Sequence, residues 1–119
     1  VEYQIIRPSS LIPSLSISNI LALAIIMIMF VGVVEELIFR SILQNKLENA
    51  IGSYEGLLLA SVVFGVMHSS YASLLEIAFG IAAGALIGLI FQRTRSFPFI
   101  ATIHGVTNVF LFGIIPFLL

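Results

Sequence analysis

Residues 20–34 read ILALAIIMIMFVGVV, and residues 35–40 follow without a break as EELIFR. Nothing in the first stretch interrupts a helix, and Ser18 and Asn19 just before it are good N-cap types. An apolar helix of this kind, running on into SILQNKLEN, predicts a membrane crossing. Insertion at mid-helix costs roughly 2.5–3.5 kcal/mol for each ionised residue, whereas each large apolar residue returns roughly 0.3–0.6 kcal/mol. Glu35 and Glu36 would therefore nearly cancel the apolar gain of their own helix. Such residues persist where they face partners or water inside a bundle. The plainer alternative is a helix that stops at Arg40, with both carboxylates snorkelling to a nearby interface.

The rest of the chain agrees with lipid as the solvent. Of 119 residues, 60% are hydrophobic and only 9% charged, a balance that a soluble domain of this size cannot present to water. The length allows about four crossings in an all-α, polytopic transmembrane bundle. A formal net charge of -1, with five basic residues and no basic cluster, excludes a nucleic-acid partner. The absence of cysteine excludes disulfides and thiol catalysis. The chain opens on Val1 and stops inside an apolar run at Leu119, as expected of a piece of a longer protein.

Residues 1–18 hold Pro8, Pro13 and several serines and are predicted to form an N-terminal loop, leaving 19–119 as one helical core. Gly52, Ser53 and Gly56 mark a turn after the first helix. LLLASVVFGVMH, residues 57–68, predicts the second helix, Leu74 to Phe91 the third, and Pro98 onward the fourth, with Pro116 expected to kink its far end. Lys46 between the first two helices, and Arg93 and Arg95 between the last two, fall in connections that an alternating path puts at one end. The excess of positive charge predicts segments 41–56 and 92–96 to be cytoplasmic in a multi-pass membrane protein. Tyr54 and Tyr71 are expected as interfacial anchors at opposite ends of the second helix. Gly80, Gly84 and Gly88 give the third helix a smooth strip for close packing.

Counting about 1.5 Å per residue from the basic end, Glu35, Glu36, His68 and His104 reach depths of about 11–17 Å, a common layer. That layer is expected to line one cavity open toward the basic-loop end. Asn108 follows His104 by four residues and Arg40 follows Glu36 by four, so each pair shares a helix face. Glu76 is predicted to lie near the opposite end of its helix as an interfacial or packing residue. Neither HExxH nor GxSxG is present.

EELIFR at Glu35–Arg40 resembles the EExxxR motif of the CAAX-processing and bacteriocin-immunity intramembrane proteases, relatives of the type II CAAX prenyl endopeptidase. FGVMH at Phe64–His68 is similar to that family's FxxxH motif, and HGVTN at His104–Asn108 to its histidine followed four residues later by asparagine or aspartate. The resemblance covers about Ile20 to Leu119 and implies an intramembrane endopeptidase acting on a peptide or protein substrate, prenylated in the eukaryotic relatives. It further implies that His68 positions a water and that His104 and Asn108 donate to an oxyanion. Glu35 is assigned as general base, with Arg40 pairing with Glu36 to hold the helix geometry. In a zinc alternative, Glu35, His68 and His104 supply three ligands and water the fourth, with Asn108 outside the ligand set. A non-catalytic membrane scaffold or bacteriocin-immunity protein, and a proton-coupled transporter, are the competing classes.

Overall fold

A computed structural model describes residues 1–119, and apart from residues 7–16 and short breaks it is helical, with no strand. The N-terminal stretch is not all loop: Glu2–Ile6 forms a short helix, α1, that ends at Arg7 in the left-handed region (φ 42). The first membrane helix, α2, spans Ile17–Ile51. Its cap is Ser16 rather than Ser18 or Asn19, with the Ser16 Oγ accepting the Asn19 N–H at 3.3 Å. Helix α3 (Ser53–Val66) continues as a tighter 3₁₀ segment through Met67–Tyr71. Helix α4 spans Leu74–Thr94 and α5 spans Phe97–Leu118.

Three helices, α2, α4 and α5, are long and apolar enough to cross a membrane, whereas α3 has only 14 α-helical residues before its 3₁₀ extension. The expected connection at 41–56 is mostly helix. Residues 41–51 belong to α2 and Ser53 onward to α3, and the only break is Gly52, whose φ of 111° suits glycine. Tyr54 and Gly56 are thus helical, and of segment 92–96 only Arg95 and Ser96 lie outside helices. Polar composition suggested loops here, but these polar residues pair across the bundle. Arg95 donates to Asn45 Oδ1 (2.8 Å) and Glu48 Oε2 (3.0 Å), and Gln92 Nε2 donates to Ser53 O (2.7 Å). Both connections therefore sit at one end of the bundle.

Helix α2 is not a uniform α-helix. Around Met27–Gly32 and Leu37–Gln44 it widens to π-helical turns, with the Val33 N–H reaching back to Ile28 O and the Asn45 N–H to Arg40 O. Such widenings recur at functional sites. Glu35 and Glu36 lie between the two widened segments.

Leu21, Ile25 and Phe30 on α2 are 58%, 61% and 68% exposed, an outer face that only lipid can cover. The inner faces approach closely where side chains are absent. On α2, Gly32 meets the backbone of Ala101 and Gly105 on α5, and a Cβ on Gly105 would lie 2.5 Å from Ile28 Cα. These contacts run antiparallel.

Helices α2 and α4 run parallel and are joined by a ladder with a constant offset of 44 residues. Arg40 donates to Gly84 O (3.0 Å), Gln44 to Gly88 O (3.1 Å), and Gln92 to Glu48 Oε1 (2.9 Å). Rows of residues four apart form the ridges through which helices interdigitate. The glycine strip is therefore more than a smooth face, because it uncovers carbonyls that buried donors need.

Pro116 lacks an N–H and leaves the carbonyl of Phe112, four residues earlier, without its helical partner. Around it α5 widens over Phe110–Ile114, and the Leu11 N–H takes Phe112 O at 2.8 Å. Ser10 Oγ adds a bond to Gly113 O at 3.2 Å. The proline thus gives the N-terminal segment an attachment on α5.

Gly105→Val should lower thermal stability in detergent by about 1–3 kcal/mol, the usual range for overpacking a tight contact. An unchanged melting curve would show that α2 and α5 do not cross there.

Candidate functional site

Adjacent residues on a helix point about 100° apart, so Glu35 and Glu36 meet different surroundings. Glu36 is fully buried. Its Oε1 accepts the Nδ1–H of His104 at 2.7 Å, and its Oε2 lies 3.3 Å from Arg40 Nε. Arg40 is also buried, and its guanidinium spends a second nitrogen on Gly84 O and stacks 4.5 Å above the Phe64 ring. A buried carboxylate needs this degree of compensation.

Glu35 is half-buried and faces a cavity of about 450 Å³. Its Oε2 lies 3.7 Å from His104 Nε2, so the imidazole stands between the two carboxylates. Donation from Nδ1 to Glu36 fixes the ring and turns Nε2 toward the cavity side. Glu35, His68, His104 and Asn108 all line this cavity. Glu36 and Arg40 do not, contrary for Glu36 to the expectation of one shared lining, because both are buried inside the bundle.

Phe64 links the two histidines. Its ring centroid lies 4.9 Å from that of His68 and 5.9 Å from that of His104, and it meets Phe39 edge-on at 5.2 Å. His68 sits in the 3₁₀ segment, and its Nδ1–H donates to Phe64 O at 2.9 Å, satisfying a carbonyl at the end of α3. A Cβ on Gly80 would lie 3.4 Å from the same nitrogen, so glycine there leaves the imidazole its room. Phe64 and Gly80 were not among the expected site residues, although the first lies inside a quoted motif and the second inside the glycine strip.

Most of the remaining lining is apolar, with Met27, Val31, Phe79, Ala83 and Ile87 on the walls. Its lining also includes Glu2, Leu11 and Tyr71, and no residue from the connections at 45–56 or 92–96. An opening toward the basic-loop end is therefore not what the lining describes.

The type II CAAX prenyl endopeptidase Rce1-like family matches residues 17–110. The chain belongs to that family. No curated protein and no solved structure matches. The Rce1-like family is one of membrane proteases, which fits three membrane-length helices around a cavity of ionisable side chains.

Zinc does not fit the side chains of this Rce1-like chain. No three His or acidic groups come together as a ligand set, although the Nδ1 donations to Glu36 and to Phe64 O leave each Nε2 available. Glu35, His68 and His104 share a cavity without converging on one point.

Of the two readings of Glu76, interfacial or packing, its burial fits the second. Far from being interfacial, it is fully buried, and its carboxyl neighbours His68 and Glu2. Neither of its oxygens receives a hydrogen bond from a conventional donor.

Removing one member of a buried ion pair strands the other. Arg40→Ala should therefore destabilise the protein by about 3–5 kcal/mol, while Glu35→Gln should shift it by less than about 0.5 kcal/mol. Equal effects in a detergent unfolding titration would contradict the division between a structural and a cavity-facing glutamate.

Proposed function

We propose that this protein is an intramembrane endopeptidase in which Glu35 is the general base and His104 and Asn108 stabilise the oxyanion. The observation that carries this reading is the placement of His104 between two carboxylates. Glu36 fixes Nδ1 from inside the bundle, and Glu35 faces Nε2 from the cavity.

Peptide hydrolysis needs a water with its proton accepted, a site for the developing negative oxygen, and a proton for the leaving amine. Glu35 takes the proton of a water oriented with the help of His68. The hydroxide forms its bond to the scissile carbonyl carbon, whose oxygen becomes negative. His104 Nε2, when the ring carries both protons, and the Asn108 amide, one turn along the same helix face, donate to that oxygen. Collapse of the intermediate breaks the C–N bond, and Glu35 returns the proton to the amine. Glu36 and Arg40 take no proton in this scheme. They hold the imidazole at a fixed angle, which is the preorganisation that electrostatic catalysis requires.

The apolar walls suit a substrate segment with apolar side chains, presented from the lipid phase. A CAAX-like C-terminal peptide, prenylated or not, is the substrate class that family membership favours.

With reconstituted protein and membrane-associated peptides, Glu35→Gln should slow cleavage by at least about 10²-fold while the protein stays folded. Near-normal turnover would reject Glu35 as the base. Losing one oxyanion donor costs about 10²–10³-fold, so Asn108→Ala should fall in that range rather than to zero. Activity should also survive a chelator. Its loss, together with one bound zinc per chain by elemental analysis, would replace the metal-free scheme.

A further inference from the structure

The N-terminal segment lies across the cavity and is held at two places of different chemistry. One is the backbone attachment on α5, where Leu11 N–H and Ser10 Oγ bond Phe112 O and Gly113 O. The other is on α4, against which α1 packs with the carboxyl of Glu2 beside that of Glu76. Between them, Glu2 and Leu11 line the cavity wall. The first attachment involves no titratable group. The second consists of two acids.

Glu76 is fully buried, and neither oxygen has a conventional donor. A carboxylate in that position is costly unless something donates to it. The Glu2 carboxyl lies beside it, and a carboxyl can donate only when protonated. Two ionised carboxylates cannot occupy such a site together, and one proton held between them removes both the repulsion and the unmet acceptor.

We propose that Glu2 and Glu76 bind one shared proton, and that this proton clasps the N-terminal strap over the cavity. No conventional donor competes for the role. The titratable groups facing the pair are His68 and Tyr71 on the 3₁₀ segment, with Glu35 on α2 and His104 on α5 further off. Tyr3 and Arg7, on the same short helix, line a separate hollow with Leu119.

Burial, and then the neighbouring Glu76, raise the Glu2 carboxyl from 4.5 to about 7. In the open strap Glu2 keeps its ordinary value. Below that value both states are protonated and the clasp is fully present. As pH rises, closing requires uptake of a proton, and the clasp is lost as pH passes through about 7. The strap therefore closes in acid and opens toward neutral and alkaline pH. The proposal concerns access to the cavity and stands apart from the chemistry assigned to it.

The chain contains no cysteine, so Ala83→Cys on the cavity wall creates a single reporter thiol. Its alkylation by a water-soluble maleimide is measured in detergent at about pH 5.5 and about pH 8.5, and each rate is divided by that of Ala83→Cys/Glu2→Ala at the same pH, which cancels titration of the thiol. The expected ratio is about one-tenth at the acid pH, rising to near one at the alkaline pH. Glu2→Gln, whose amide donates to Glu76 without titrating, should hold the ratio low at both. Thr107→Cys on α5 provides a second reporter if the first perturbs packing. A ratio near one in acid, a low ratio that pH does not change, or a Glu2→Gln profile that follows the wild type would overturn the proposal.

Discussion

A guanidinium and a carboxylate buried together in a membrane protein have no water to fall back on, and the structure is arranged around meeting that demand. Glu36 uses both oxygens, one on His104 and one on Arg40. Arg40 in turn needs acceptors beyond Glu36, because five N–H donors cannot be satisfied by one carboxylate. One goes to the carbonyl of Gly84 and the guanidinium face rests on Phe64, while Nη1 is left without an acceptor. A helical carbonyl already accepts its own i+4 N–H, and it offers a second lone pair only where a neighbouring helix can approach. Glycine supplies that approach. The ion pair on α2 therefore dictates the residue type on α4 and the aromatic on α3, and through His104 it fixes α5. Helices α2, α3, α4 and α5 all meet in this cluster, with α2 contributing both Glu36 and Arg40.

Gln44 repeats the device one turn along, bonding Gly88 O while also donating to Glu48 at 2.7 Å. Apolar packing alone would let parallel helices slide by one turn at little cost, since lipid is as apolar as leucine. Three polar rungs at a constant offset make such a slip expensive, because every rung would break together. The register so defined carries into the cavity, where Gly80, the next glycine of the same row, leaves room for His68.

Much of this was legible in the sequence because spacing on a helix is geometry. Four residues from Glu36 to Arg40, and from His104 to Asn108, place each pair on one face without knowledge of the fold. The basic connections at one end follow from alternation alone. What was not legible depends on tertiary pairing. SILQNKLEN is helix, as its continuity with the apolar stretch suggests, but composition does not show that Asn45 and Glu48 are polar in order to meet Arg95 and Gln92. Glu76 stands in the first turn of α4, and from sequence it reads equally as interfacial or as a packing residue. The short helix α1 packs on the same α4, and the segment that follows it is bonded to the Phe112 carbonyl freed by Pro116, more than a hundred positions away. No local pattern announces a contact of that kind.

The tandem of glutamates also explains why the site lies where it does. Two neighbours on a helix diverge by about 100°, so they can serve different purposes only if the helix stands on a boundary, with packed protein on one side and open space on the other. Helix α2 occupies such a boundary at Glu35 and Glu36, flanked on both sides by widened turns that adjust its faces. A single glutamate would have to choose between anchoring His104 and facing the cavity. Anchoring requires full desolvation and a fixed partner, whereas proton exchange with water requires access. Splitting the two tasks between adjacent residues keeps them on one rigid element, so the cavity-facing carboxylate inherits its position from the buried one. That dependence makes the ion pair on Arg40, which touches no cavity, part of the geometry of the site.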